Sequence, residues 1–176
     1  MQRCANVRTR PMTAPPATLR PFLPSDTPAL AAIFRDSIEV LAMDDYDDAQ
    51  LAAWIGMADD LGAFGKRLAG ALTLVATITK APAAFASLKG ADRLEMLYVD
   101  PSVARQGIGN QLCDALERIA AARGSKKLTG DISDTALPLF EQRGYIAERR
   151  NTMPLGDTWI GNTTMTKLFG AAENAP

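Results

Sequence analysis

The groups best suited to chemistry lie in one stretch. Arg93-Leu94-Glu95-Met96-Leu97-Tyr98-Val99-Asp100-Pro101 reads as a strand buried on both faces and closed by Asp-Pro, and Ala104-Arg105-Gln106-Gly107-Ile108-Gly109-Asn110 as a glycine-bearing turn into a helix. The start of a helix exposes backbone N–H groups that have no intrahelical acceptor, at the positive end of the helix dipole. Anions collect at such places. Gly107 and Gly109 let an anion approach the main chain where a side chain would block it, while Arg105 adds charge and Asn110 a donor. The spacing points to a pyrophosphate, against the plainer reading of two turn glycines. A dinucleotide fingerprint would need Gly or Ala where Leu112 stands, and no Lys-Ser/Thr pair follows to make a P-loop.

Composition narrows the chemistry further. The 176 residues contain no histidine, which excludes Ser-His-Asp and Cys-His nucleophilic machinery and any zinc site with a His ligand. Two cysteines, Cys4 and Cys113, cannot make a Cys-rich metal site, so no metal is expected. Cys113 lies in an apolar helical stretch and reads as a small core residue. Lys+Arg total 19 against 20 Asp+Glu, a balance that argues against a nucleic-acid backbone as partner. No apolar run is long enough for a membrane span, and Arg3, Arg8 and Arg10 are not followed by the apolar core of a secretory signal. A cytoplasmic protein with no membrane partner is the expectation.

The elements that must hold the turn follow from periodicity. Residues 1–17, polar and Pro-rich, read as a flexible tail; 18–169 as one domain; 170–176 as a C-terminal tail. Thr18 to Phe22 opens as a strand, and Ser25-Asp26-Thr27-Pro28 starts a helix whose Leu30, Ile33, Phe34 and Ile38 recur at helical spacing. Asp44, Asp45, Asp47 and Asp48 surround Tyr46 in the break before a second helix with Leu51, Trp54 and Ile55, and Leu61, Phe64 and Leu68 mark a third. Ala71–Thr79 and Ala84–Leu88 read as strands around a Lys80-Ala81-Pro82 turn. The helix opened by Gly107 ends at Arg123-Gly124, Lys126–Ile132 is a strand, and Ala136–Gln142 a short helix stopped at Gly144. Tyr145–Thr152 and Asn162–Leu168 pair as a closing hairpin around a loop with Pro154, Gly156 and Gly161. The fold class is α+β, one layer of sheet carrying helices.

From Leu19 to Leu168 the sequence resembles the GNAT superfamily of acetyl-CoA-dependent N-acetyltransferases. Leu94-Glu95-Met96-Leu97-Tyr98-Val99-Asp100-Pro101 followed by Ala104-Arg105-Gln106-Gly107-Ile108-Gly109 is similar to the family's acetyl-CoA motif. Ala136-Leu137-Pro138-Leu139-Phe140-Glu141-Gln142-Arg143-Gly144-Tyr145 is similar to its late helix and turn. The resemblance implies a mostly antiparallel sheet with a central, splayed parallel strand pair and helices on both faces. It implies acetyl-CoA as co-substrate, its pantetheine arm along Leu97, Tyr98 and Val99, its pyrophosphate on the amides of Arg105, Gln106, Gly107, Ile108, Gly109 and Asn110. Ser133 and Phe140 would border the thioester end. Small members often dimerise, so a homodimer is part of what the resemblance implies.

Two departures stand out. Ala104 occupies a position usually held by Gln or Arg, and Phe140 one where many members carry a Tyr that protonates the departing thiolate. An amine must be neutral to attack a thioester, so a base or a water path to one is needed. Without histidine the candidates are Glu95, Tyr98, Tyr46 and Asp131; Arg93 stands where members with a carboxylate base often carry it. Glu95 is expected to share a strand face with Leu97 and Val99. Tyr46 and Trp54 are candidates for the acceptor site, and the four aspartates around Tyr46 either attract a cationic amine or simply solvate a helix start. The expected activity is acetyl transfer to a primary amine of a small molecule. Its alternatives are a non-catalytic acyl-CoA sensor and an enzyme acting on a protein or peptide amine.

Overall fold

Alternation of small and large residues along the central strands decides where the helices sit. The computed structural model describes residues 17–170, so Cys4 and all but one residue of each proposed tail lie outside the described residues. Its elements are β1 (Thr18–Pro21), α1 (Thr27–Leu41), α2 (Asp48–Ile55), α3 (Leu61–Ala69), β2 (Leu72–Ile78), β3 (Ala81–Lys89), β4 (Arg93–Val99), α4 (Ile108–Ala122), β5 (Lys127–Ile132), α5 (Leu137–Gln142), β6 (Ile146–Leu155) and β7 (Thr158–Leu168). The seven strands form one sheet in the order β1-β2-β3-β4-β5-β7-β6. Every pairing is antiparallel except β4 with β5.

Both faces are covered. On the back, Leu112, Leu116 and Ala120 of α4 and Phe140 of α5 pack on Ala84, Ala86, Leu94, Leu128, Ile132 and Met165. On the front, Leu30, Phe34 and Ile38 of α1 and Phe64 and Leu68 of α3 pack on Val75, Phe85 and Met96. In β3 Ala84 and Ala86 face α4 and Phe85 faces α1, as a period of two requires. Burying each such Phe or Leu is worth about 1.5–3 kcal/mol, which makes these two layers the main source of stability.

Helix starts follow the sequence signals. Asp47 caps α2 by accepting from the Gln50 amide at 2.9 Å, while Gln50 Oε1 accepts from the Asp47 amide. Asp60 caps α3 through the Ala63 amide. Asp47 is therefore a helix cap rather than part of a free acidic cluster.

Two hairpins differ from the sequence expectation. The β2–β3 turn is Thr79-Lys80, with φ of 48° and 73°, not Lys80-Ala81-Pro82. Positive φ at both central residues matches the twist of a two-residue hairpin. Pro82 lies inside β3 opposite Thr77, where the register slips. The second hairpin is longer than expected: strand pairing runs to Leu155–Thr158, and the turn is Gly156-Asp157, with Gly156 at φ +57°. Pro154 is accommodated because β6 is an edge strand.

Candidate functional site

β4 and β5 are paired only at Arg93–Thr129 and Leu94–Gly130, then part. Gly130 permits this last close approach, because a Cβ there would lie 3.3 Å from the Leu94 carbonyl oxygen. Beyond it β4 keeps its ladder to β3 alone. The Asp100 amide donates to Ala83 O at 2.8 Å, which makes the adjacent Val99–Ala84 pair a wide, non-hydrogen-bonded one. Pair types alternate along an antiparallel ladder, so Leu97 and Val99 both turn their N–H and C=O away from β3. Those groups line the opening where β5 has left.

At the top of the opening stands the turn into α4. Asp100 steadies it by accepting from the Ser102 amide at 2.8 Å and from the Ser102 hydroxyl. The main chain then passes through left-handed conformations at Arg105 (φ 61°) and Gly107 (φ 87°). The first intrahelical bond of α4 is Gln111 N–H to Gly107 O, and no side chain caps the helix. Among the described residues, none of the amides from Arg105 to Asn110 donates to a protein acceptor. A Cβ at Gly107 would meet nothing within 4 Å, and one at Gly109 would make only ordinary contacts with Leu139 and Val99. Buried Ile108 anchors the turn, while Arg105, Gln106 and Gly107 are exposed. The result is a row of free donors at a helix dipole, beside an unpaired strand edge.

Asn110 is held from below. Arg143 Nη1 donates to Asn110 Oδ1 at 2.9 Å, and Arg143 is fixed by Asp114 and Glu117. Glu117 also accepts from Tyr145 and Lys167. The Asn110 amide nitrogen thus remains the free end of that side chain. This network joins elements distant in sequence, and only Asn110 was legible as part of a site.

The acid–base candidates separate clearly. Glu95 does not share a face with Leu97 and Val99, because the register against β3 skips it between Leu94–Leu88 and Met96–Ser87. This bulge turns Glu95 to the front, where Arg67 Nε donates to Oε1 at 3.1 Å and Lys89 Nζ lies 4.0 Å away. Tyr98 is packed among Phe34, Phe85 and Trp54, and its oxygen accepts from Trp54 Nε1 at 3.1 Å. Burial pushes its hydroxyl up to about 12, so it stays protonated and does not act as a base near neutral pH.

Tyr46 is 7% exposed and has both hydrogen-bonding roles filled. Its hydroxyl donates to Gly161 O at 2.9 Å and accepts from the Asp134 amide at 2.9 Å. Trp54 packs edge-on against it. Both therefore wall the region rather than offer free polar groups to an acceptor. Phe140 is 1% exposed and packs against Tyr145, inside the back layer. Ser133 follows β5 directly, and its carbonyl accepts from the Ala136 and Leu137 amides.

Residues beyond the sequence reading complete the corner after β5. Asp134 pairs with Arg150 of β6, Thr135 donates to Asp45 at 2.7 Å, and Tyr46 holds the Asp134 amide. Gln50 Nε2 of α2 donates to Trp159 O at 2.7 Å. The break between α1 and α2 is thereby tied to the β5–α5 corner and to β7. Among the described residues no group of His, Cys, Asp and Glu is arranged to hold a metal ion. No described helix is long and apolar enough to cross a membrane.

Comparison with known proteins agrees with this geometry. A family model described as an acetyltransferase (GNAT) domain matches residues 42–169. An uncharacterised N-acetyltransferase of Escherichia coli K12, YafP, is 29% identical over 147 residues, covering 84% of this chain and 93% of that one. The crystal structure of a GCN5-related N-acetyltransferase from Rhodopseudomonas palustris is 49% identical, with a TM-score of 0.87 over 90% of this chain and 99% of that one. PaiA N-acetyltransferase of Thermoplasma acidophilum, solved with coenzyme A, shares the fold at a TM-score of 0.74 and 18% identity, over 87% and 99% of the two chains. With a family match across most of its length and a parted β4–β5 pair at its centre, this chain belongs to the GNAT acetyltransferases and is an acetyl-CoA-dependent N-acetyltransferase.

Proposed function

We propose that this enzyme transfers acetyl from acetyl-CoA to a primary amine of a small molecule by direct attack, using the β4–β5 opening and the turn before α4. The observation that carries the assignment is the run of undonated amides from Arg105 to Asn110 above the free edge of Leu97 and Val99. The diphosphate accepts from those amides, with Arg105 adding charge. The pantetheine arm pairs with the outward N–H and C=O groups of Leu97 and Val99 as a missing strand would. One of those N–H groups polarises the thioester carbonyl, as a preorganised donor at the site of developing negative charge. Ser133 ends the opposite wall.

The acceptor arrives as an ammonium ion and loses a proton to water. Its nitrogen lone pair forms the N–C bond, the C–S bond breaks, and the electron pair leaves on sulfur, which then takes a proton. Amide, coenzyme A thiol and one released proton balance the reaction. Phe140 cannot protonate the sulfur, and Tyr98 is packed among Phe34, Trp54 and Phe85 in the front layer. A thiol of ordinary pKa, about 8.5, leaves readily as thiolate without an acid. Orientation of the two reactants supplies the larger part of the acceleration.

A small acceptor is favoured because the α1–α2 break is stitched across to β7 and the β5–α5 corner by Tyr46, Asp45 and Gln50. That bridge supports a walled pocket rather than an open peptide groove. The test is acetyl-CoA binding by calorimetry, with thiol release across a panel of polyamines, amino acids, aminoglycosides and peptides. Binding with turnover on small amines is the expected result. Turnover on peptides alone would overturn the small-molecule assignment, and binding without turnover on any acceptor would overturn the choice of a primary amine as nucleophile.

A further inference from the structure

Two carboxylates stand where β4 and β5 part; both are ion-paired, and Asp131 is the more exposed. Glu95 is drawn toward Arg67 and Lys89 and is 15% exposed. Asp131, on β5, is 30% exposed and lies one residue past the last ladder pair, Leu94–Gly130. Its neighbours Gly130 and Ile132 face the back layer, so Asp131 projects from the front of the sheet.

We propose that Asp131 receives the acceptor as its ammonium ion, making cationic alkylamines the preferred substrates; this rests on the acetyltransferase reading above. Asp131 is held from two sides without being filled. Thr164 Oγ1 donates to Oδ1 at 2.7 Å, and Arg93 Nη2 donates to Oδ2. Thr164 is itself oriented by Asn151 Nδ2 at 2.8 Å, and Asn151 Oδ1 accepts from Arg149 Nε at 2.8 Å. An ionised carboxylate accepts at about four positions, so roughly two remain for a ligand.

The register also fits the reaction. In the parallel pairing Asp131 is level with Glu95, two residues before Leu97. Two residues of strand span about 6.6 Å. An amine about 2.8 Å from a carboxylate oxygen and about 3–3.5 Å from the reacting carbonyl needs a total near 6 Å. An ammonium on Asp131 is thus within reach of a thioester bound at the Leu97 N–H. Arg93 and Thr164 fix the orientation of the Asp131 carboxylate, which suits it to anchor an ammonium while the proton leaves to water. The sequence motif put Arg93 where a carboxylate was expected; the carboxylate is instead across the opening.

The test compares wild type, Asp131→Asn and Asp131→Glu, each saturated with coenzyme A. Chemical-shift titration with n-butylamine, benzylamine and spermidine reads amine binding, and n-butanol serves as the uncharged control. Loss of one charge-assisted contact predicts amine binding weakened about 10- to 100-fold in Asp131→Asn, with coenzyme A and butanol affinities within about twofold. Asp131→Glu recovers part of the amine affinity. The Asn variant keeps an acceptor for Thr164, and a matching melting temperature excludes unfolding. Equal amine affinity in Asp131→Asn and wild type overturns the proposal. Failure of all three amines to bind loaded wild type also overturns it, while leaving the acetyl-CoA site standing. Failure of wild type to bind coenzyme A overturns the acetyltransferase site assignment, and this proposal with it.

Discussion

Gly107 and Gly109 give the turn before α4 a test that separates backbone strain from ligand contact. Gly107 sits at φ +87° with open space around its Cβ position, so alanine there costs backbone strain alone, about 1–2 kcal/mol. Gly109 lies in the first turn of α4, where a Cβ would meet Leu139 at 3.7 Å and Val99 at 3.8 Å, ordinary packing distances. Alanine at a helical position stabilises by up to about 1 kcal/mol over glycine. For a chain of this size that corresponds to a melting temperature about 2–4 °C higher in Gly109→Ala, and a similar or larger fall in Gly107→Ala. Acetyl-CoA affinity changes differently. In the proposed complex a methyl at Gly109, beside Val99 and Leu139, would crowd the coenzyme where it lies against the turn. One charge-assisted hydrogen bond lost is worth about 1.5–3 kcal/mol, or about 10- to 100-fold in Kd. Calorimetry alongside thermal melts is therefore expected to find Gly109→Ala no less stable than wild type but bound at least about tenfold more weakly. Wild-type affinity in Gly109→Ala would refute the claim that this turn holds the diphosphate.

Other predictions probe the frame. In Gly161→Ala the new Cβ collides with the Arg150 guanidinium and displaces it from Asp134. That pair is partly exposed and worth at most about 1 kcal/mol, so stability should fall little while turnover drops because the β5–α5 corner loosens. Melting temperature and thiol-release rate together check this. Glu117→Ala removes the acceptor shared by Arg143, Tyr145 and Lys167 while Asp114 still pairs Arg143, and should cost about 1–3 kcal/mol by urea unfolding. The Arg20 hydrogen bond holds the Asp26 carboxyl below its usual value. Its contribution is present above the unfolded pKa, near 4, and fades as pH falls through the folded value. Asp26→Asn should therefore be less stable than wild type at pH 7, with the difference narrowing below pH 4 in unfolding titrations.

Much of this fold was legible because apolar periodicity is local. The α1 and α4 stripes, the buried β4 strand and the glycine turn each follow from a few neighbouring residues. What escaped depends on partners. The Glu95 bulge is set by the register against β3, and a period of two assigned its side chain to the wrong face. The Thr79-Lys80 turn adopts positive φ without glycine or asparagine, so Pro82 draws the expected turn one to two residues too late. Pro154 and Gly161, which read as loop residues, concealed the length of the β6–β7 hairpin. Tyr46 was read as a substrate contact, but its hydroxyl bridges Gly161 and Asp134, 115 and 88 residues away. No local pattern encodes that bridge.

Amide NMR of the labelled protein, titrated in parallel with acetyl-CoA and S-acetylpantetheine, tests the central claim most directly. Acetyl-CoA should shift the Gln106–Asn110 amides strongly, while acetylpantetheine, which lacks the diphosphate, should move Leu97 and Val99 and leave that turn nearly unchanged. Tight acetyl-CoA binding with Gln106–Asn110 unmoved would contradict the account.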